Sequence, residues 1–228
     1  MTPQITEAQL NILRGTNTPT IANAMERLKI RDRLDGFTRG NIRSIFPDSG
    51  VLLGFAVTIC IRSATPPTQS SASLRDYWES IQKYPLPRVV VAKDLDHPPA
   101  GAWWGEMNAN IHRALGCIGV ITDGTVRDLD EVRPLGFQMF AAGISVSHCW
   151  AHLESFGQEV TINGMSVKPG DLIHADKHGA ITIPLEHVHA LLGAIEQVER
   201  HERPIIQLCK SESFSIPELD RLKNNPVI

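Results

Sequence analysis

Val51 to Ile61 is a run of eleven residues, Val-Leu-Leu-Gly-Phe-Ala-Val-Thr-Ile-Cys-Ile, without a charge. It is about half the length needed to cross a membrane and carries Gly54 and Thr58, so it is read as a buried strand bent at the glycine. Two further apolar runs follow, Arg88 to Ala92 and Cys117 to Thr122. Between the first two lie a Pro/Ser/Thr-rich loop from Ser63 to Ser73 and a short helix over Leu74–Ile81. The stretch Ala102 to Leu115, of helical composition, precedes the third. Apolar strands alternating with helices make the centre βαβ-like.

The flanks read differently. Thr6 is an N-cap for a helix stopped at Gly15, and a second helix starts in Thr18-Pro19-Thr20 with Ile21, Met25 and Leu28 on one face. Phe137–Ala141 is a short strand. Glu159 to Val167 alternates around Asn163-Gly164, which predicts a hairpin. Asp171–Ala175 and Ala180–Ile183 are two more strands. Leu185, Val188, Leu191, Leu192, Ile195 and Val198 mark an amphipathic helix that is expected to end before Pro204. The tail after Cys209 is polar, expected to pack loosely or against a partner. With 228 residues the chain is expected to form one α/β domain over 1–228, with N-terminal helices in 1–30 and a C-terminal helix and tail in 185–228.

Composition excludes several classes. A net charge of −3, from 22 basic and 25 acidic residues, gives no bulk attraction to nucleic acid or anionic lipid. The opening residues Met1–Glu7 show neither basic n-region nor apolar h-region, so no secretory signal is expected. The four cysteines, Cys60, Cys117, Cys149 and Cys209, form no Cys-x-x-Cys pair and lie mostly in apolar runs. They read as reduced, buried thiols of a cytoplasmic protein.

Three places hold candidate chemistry. In Gly101-Ala102-Trp103-Trp104-Gly105-Glu106-Met107-Asn108, glycine ahead of a helix can bring first-turn amides to an anion, or can merely serve the packing of Trp103 and Trp104. It is neither Walker A nor a dinucleotide fingerprint. Thr122-Asp123-Gly124-Thr125-Val126-Arg127-Asp128 lies at the end of an apolar strand, where α/β proteins gather ligands. There Arg127 can grip a carboxylate or keto oxygen and Asp128 can ligate a hard cation. Equally, Asp128 with Glu131 matches a helix-capping pattern, leaving Arg127 a surface cation. Of nine histidines, His148/His152 and His174/His178 have a spacing of four and His187/His189 a spacing of two. The local pattern around them is extended or turn-like, which argues against a histidine metal site. No Gly-x-Ser-x-Gly elbow occurs, and no loop of the kind that holds S-adenosylmethionine.

In order along the chain, Thr18-Pro19-Thr20-Ile21-Ala22-Asn23-Ala24, Gly105-Glu106, Gly116 through Asp128, and Gly170 through Pro184 resemble the regulator of ribonuclease activity A (RraA-like) family. This family includes 4-hydroxy-4-methyl-2-oxoglutarate aldolases and oxaloacetate decarboxylases. The resemblance implies a three-layer β/β/α swivelling fold, assembled as a trimer or hexamer with sites between subunits. It implies Mg²⁺- or Mn²⁺-assisted cleavage of a C–C bond beside a 2-oxo acid, with a pyruvate enolate as intermediate. By position, Arg127 matches the arginine on the substrate keto oxygen and Asp128 the metal ligand. The amides around Gly105, Glu106, Met107 and Asn108 match the carboxylate-binding loop. Glu106 matches an acid that orients a water on the metal. Glu199 or Glu202 would supply a carboxylate to a neighbouring subunit. The family also contains ribonuclease inhibitors, so a non-catalytic binder of the same fold is the alternative. The stretch 63–73 and the chain beyond Pro204 depart from the aldolase pattern. Developing enolate charge is what a cation and a guanidinium stabilise, so the residue types suit the chemistry.

Overall fold

The computed structural model describes residues 5–69 and 71–224. The segment opens with α1 (Glu7–Gly15) and α2 (Thr18–Leu28), followed by β1 (Arg43–Ser44), β2 (Leu52–Arg62), α3 (Leu74–Ile81) and β3 (Arg88–Asp94). Then come β4 (Ala102–Trp104), α4 (Glu106–Ala114), β5 (Cys117–Thr122), β6 (Thr125–Val126), α5 (Leu129–Val132), β7 (Gln138–Ala141) and β8 (Gly143–Ile144). The chain closes through β9 (His152–Phe156), β10 (Val160–Ile162), β11 (Met165–Val167), β12 (Leu172–Asp176), β13 (Gly179–Ile183), α6 (Val188–Cys209) and α7 (Ile216–Asn224).

Strands β2, β3, β5 and β7 run parallel at the centre of an eight-stranded sheet of order β1-β7-β5-β3-β2-β12-β13. The long β2 pairs antiparallel with β12 through Leu52–Phe55 and with β9 through Ile59–Arg62. Both sheet faces are buried, so the central strands read as unbroken apolar runs rather than alternating ones. Leu53 and Phe55 of β2 pack under α1, α2 and α6. Val57, Ile59 and Ile61 pack with Tyr77, Trp103 and Trp104 from α3 and β4. On the other face Leu52, Ala56, Val89 and Val91 meet Val160, Ile162, Met165 and Val167 of the β10–β11 hairpin. Helices, large sheet and hairpin are thus three layers of a mixed α/β fold with helices at its ends.

Local chemistry sets several boundaries. Thr6 and Gln9 form a reciprocal capping box at the start of α1, as the sequence predicts. Asn163 and Gly164, at φ of 48° and 92°, make the tight turn of the expected hairpin.

Three readings are corrected. Ala102–Trp104 is a strand, not the start of a helix: it pairs with β6, the Ala102 N–H donates to the Ser147 carbonyl, and α4 begins only at Glu106. Helix α6 runs through Pro204 to Cys209. Pro204 removes one helical N–H, but Arg200, whose carbonyl would have received it, is exposed to solvent, and buried Leu208 fixes the following turn. The tail packs loosely, as expected: it contains α7, which contacts α6 and buries none of its residues. The cysteines are free, as expected, yet Cys149 and Cys209 are exposed and only Cys117 is buried. Among the described residues, no helix is long and apolar enough to cross a membrane. Met1–Gln4 of the opening segment and residues 225–228 of the tail lie outside the described residues.

Candidate functional site

Beyond the C-terminal ends of β3 and β5 sits a small parallel sheet of β4, β6 and β8. It delivers two chain segments to one place. From β4, Gly105 leads into α4 as its N-cap residue, and the first intrahelical bond runs from the Ala109 N–H to the Gly105 carbonyl. The amides of Glu106, Met107 and Asn108 therefore lie ahead of the helical ladder, at the positive end of its dipole. From β6, Arg127 is fixed by its N–H donating to the Trp104 carbonyl at 2.9 Å.

Asp128 has φ 56° and ψ 47°, a left-handed conformation that is strained for a residue with a side chain. It makes no side-chain cap for α5, so the capping reading fails. The side chain instead turns toward α4, and its Oδ2 accepts a 3.0 Å hydrogen bond from the Glu106 N–H. Arg127 Nε lies 3.7 Å from the same oxygen. Gly105 is needed for this approach, because a Cβ there would collide with Asp128 Oδ2 and press on Arg127. A cavity of about 300 Å³ opens over the junction, lined by Trp103, Gly105, Asn108, Arg127, Asp128 and His148 among others.

The residues picked out in the sequence thus converge: Gly105, Met107, Asn108, Arg127 and Asp128 all line one cavity. Glu106 contributes its amide to Asp128 while its side chain is exposed and outside the cavity lining. Asn108 splits its parts similarly. Its side-chain amide donates to the Trp103 carbonyl at 2.6 Å, which ties the helix start to β4. Neither Glu199 nor Glu202 reaches this cavity within the chain: Glu202 accepts from Asn23 Nδ2 on α2, and Glu199 lies on the outer side of α6.

His148, Leu74 and Ala151 also line the cavity and were not singled out for it. No local sequence signal marks them for it: the fold brings Gly101 against the His148 backbone, where a Cβ would approach to 2.7 Å. His148 Nδ1 faces the Cys149 carbonyl at 2.7 Å. Three other histidines make structural contacts. Buried His174 contacts Thr18 Oγ1 and the Leu13 and Thr16 carbonyls, and burial holds it below its usual range. His178 and His152 contact Asp176 and Glu154. No group of three or more His, Cys, Asp or Glu suited to a metal occurs among the described residues.

Asp128 offers one carboxylate with a single hydrogen-bond donor on one oxygen and open space before it. That donor set fits Mg²⁺ or Mn²⁺, hard ions that accept few protein ligands and fill the rest with water and substrate oxygens.

The architecture and this junction define an α/β protein with an anion-receptive helix start facing an Arg-Asp pair beyond the ends of parallel strands. The chain belongs to the RraA-like family: the family model described as Aldolase/RraA matches residues 18–182. It is 29% identical over 200 residues to an uncharacterized protein of Methanocaldococcus jannaschii, covering 86% of each chain. It is 26% identical over 159 residues to a Halalkalibacterium halodurans protein that carries the name of a 4-hydroxy-4-methyl-2-oxoglutarate aldolase, covering 68% of this chain and 70% of that one. It also matches protein DlpA of Legionella pneumophila at 25% identity, spanning only 29% of that protein's length. Among solved structures, an uncharacterized protein from Pseudomonas syringae superposes with a TM-score of 0.77 at 23% identity over 97% of this chain and 96% of its own. RraAS2 of Streptomyces coelicolor, described as an unusual member of the RNase ES inhibitor RraA family, gives 0.70 at 20% identity over 88% of this chain and 96% of its own. These two likenesses establish the fold. The family holds both aldolases and non-catalytic ribonuclease inhibitors.

Proposed function

We propose that the protein is a divalent-metal-dependent lyase that cleaves a C–C bond of a 2-oxo acid, either as a 4-hydroxy-2-oxo diacid aldolase or as an oxaloacetate decarboxylase. The observation that carries this reading is Asp128, held in a strained conformation so that its carboxylate meets the Glu106 amide, beside Arg127 and above an open cavity. A binder has no need to keep a carboxylate in that state.

Asp128 would hold Mg²⁺ or Mn²⁺, which when bound acts as a Lewis acid on the oxygens of the oxo acid. The chain's own groups do the rest. The amides of Met107 and Asn108 receive the substrate carboxylate at the helix start. The Arg127 guanidinium sits on the keto oxygen, where negative charge accumulates as the C–C bond breaks, and stabilises that charge more than the ground state. Glu106, whose side chain is exposed and outside the cavity lining, would have to turn inward to move a proton to or from the enolate carbon or the leaving hydroxyl, the role assigned to it in this reading.

Oligomerisation belongs to the same reading. Val146 is 98% exposed, and Met107, Ile144 and Trp150 are exposed by more than half, all on segments bordering the cavity. A second copy of the chain covering this rim, in a trimer or hexamer, would remove that apolar surface from water. Light scattering that finds only monomer at micromolar concentration overturns this part.

The activity is tested by pyruvate release from oxaloacetate and from 4-hydroxy-2-oxo diacids with Mg²⁺ or Mn²⁺. EDTA and Arg127→Ala should each abolish it. Full turnover in EDTA sinks the metal role. A folded, metal-loaded protein inert across the panel favours the non-catalytic binder.

A further inference from the structure

Behind the cavity, three elements are joined by polar groups that no step of the proposed reaction uses. Tyr77 of α3 and His112 of α4 are both fully buried. Tyr77 Oη and His112 Nε2 are 2.8 Å apart, and His112 Nδ1 lies 2.7 Å from the Asn108 carbonyl. A carbonyl only accepts, so Nδ1 carries the hydrogen, and Nε2 must then accept from the Tyr77 O–H. Burial pushes the His112 pKa down to about 4 and the Tyr77 phenol up, so both stay neutral and the tautomer is fixed. The imidazole is packed by Trp104, with ring centroids 4.7 Å apart, and by Trp103 at 5.8 Å. Asn108 closes the circuit through its side-chain bond to the Trp103 carbonyl.

Asn108 is thus held at both its carbonyl and its side chain, and it lines the cavity with its own N–H among the first-turn amides ahead of the helical ladder. Nothing in helix formation demands this. The Asn108 carbonyl already has the His112 N–H as its helical partner, so the imidazole N–H is a second donor on one oxygen. Two buried polar side chains have been committed to one peptide unit, where burial without full satisfaction would be unfavourable.

We infer that Tyr77 and His112 are positioning residues. They lock the first turn of α4 against β4, so that the Met107 and Asn108 amides are held ready for an anion before it arrives. The functional meaning of that lock rests on the lyase reading above; the lock itself does not.

Tyr77→Phe removes one oxygen without changing the packing volume and leaves Nε2 free to exchange its tautomer. With Mg²⁺ present, oxalate affinity measured by calorimetry should fall about tenfold, equivalent to roughly 1.4 kcal/mol. In turnover, KM for oxaloacetate should rise by a similar factor with kcat within about twofold, because Arg127 and Asp128 are untouched. Hydrogen exchange at Ala109 to His112 should accelerate at least tenfold while the amides of β3 and β5 stay protected. His112→Asn, which keeps an N–H within reach of the Asn108 carbonyl, should restore most of the affinity that His112→Leu loses. Tyr77→Phe with wild-type exchange at α4 and unchanged oxalate affinity overturns the inference. So does equal loss in His112→Asn and His112→Leu with both folded. If the wild type neither binds oxalate nor releases pyruvate, the lyase reading fails, and the exchange rates still decide whether the lock exists.

Discussion

Asp96 and Asp128 are carboxylates beyond the C-terminal ends of neighbouring parallel strands, and they are built in opposite ways. Asp96 is closed. Its Oδ2 accepts the N–H of Ser63 at 2.6 Å and of Ala64 at 2.8 Å, and its Oδ1 accepts from Arg62 at 3.1 Å. Burial pushes its pKa up, but these donors outweigh burial and hold it below the usual range. Asp128 is open, with one donor at 3.0 Å, a left-handed backbone and a third of its side chain exposed to the cavity. A carboxylate with donors on both oxygens pins a loop. One kept short of donors at the expense of backbone strain is available to a ligand.

The contrast can be broken by substitution. Asp128→Ala should lower kcat/KM for pyruvate release at least about 1000-fold, some 4 kcal/mol of transition-state stabilisation, while leaving the unfolding midpoint within a few degrees. Asp96→Ala should do the reverse: about 3 kcal/mol of stability lost in urea unfolding as the amides of Ser63 and Ala64 lose their acceptor, with the surviving folded fraction still turning over. A similar profile for both variants would erase the distinction.

A third carboxylate sharpens it. Asp94 ends β3 fully buried; its Oδ1 accepts the Asp96 N–H, and its Oδ2 has no hydrogen-bond partner among the described residues. Burial raises its pKa to about 6. Below about pH 4 it is protonated in both folded and unfolded chains and makes no difference. As pH rises from 4 to 6 the unfolded chain ionises first, so stability falls, and the full penalty persists above pH 6. Asp94→Asn should therefore stabilise by up to about 3 kcal/mol at pH 7.5, with the gain vanishing near pH 4 in chemical denaturation. A gain independent of pH would mean that packing, not ionisation, separates Asp94 from Asp96.

The sequence reveals those features whose causes are local. Asn163-Gly164 specifies its own turn, and the central strands announce themselves because both their faces are buried. What it conceals depends on distant partners. Trp103 and Trp104 look helical beside Ala109 and Ala114, and become a strand only because β6 lies ready to pair some twenty residues on. Pro204 signals a stop that buried Leu208 overrides. Arg127 and Asp128 are visible as candidates, but Asp-x-x-Glu describes a cap as well as it describes a ligand; the direction of the Asp128 side chain decides, and its approach to α4 is permitted by Gly105 more than twenty residues earlier. The Tyr77–His112 pair has no sequence signature, since its members come from different helices joined only by the fold.

The double pairing of β2 carries a consequence for how the chain is made. Its neighbours along one edge are β12 over its first half and β9 over its second, both about a hundred residues downstream. During synthesis that edge of β2 has no partner until residues 152–156 and then 172–176 have emerged. The longest strand among the described residues therefore waits with unsatisfied amides and carbonyls through the production of the entire Arg-Asp junction. Productive folding has to be delayed, or the nascent edge shielded, until the last third of the chain arrives.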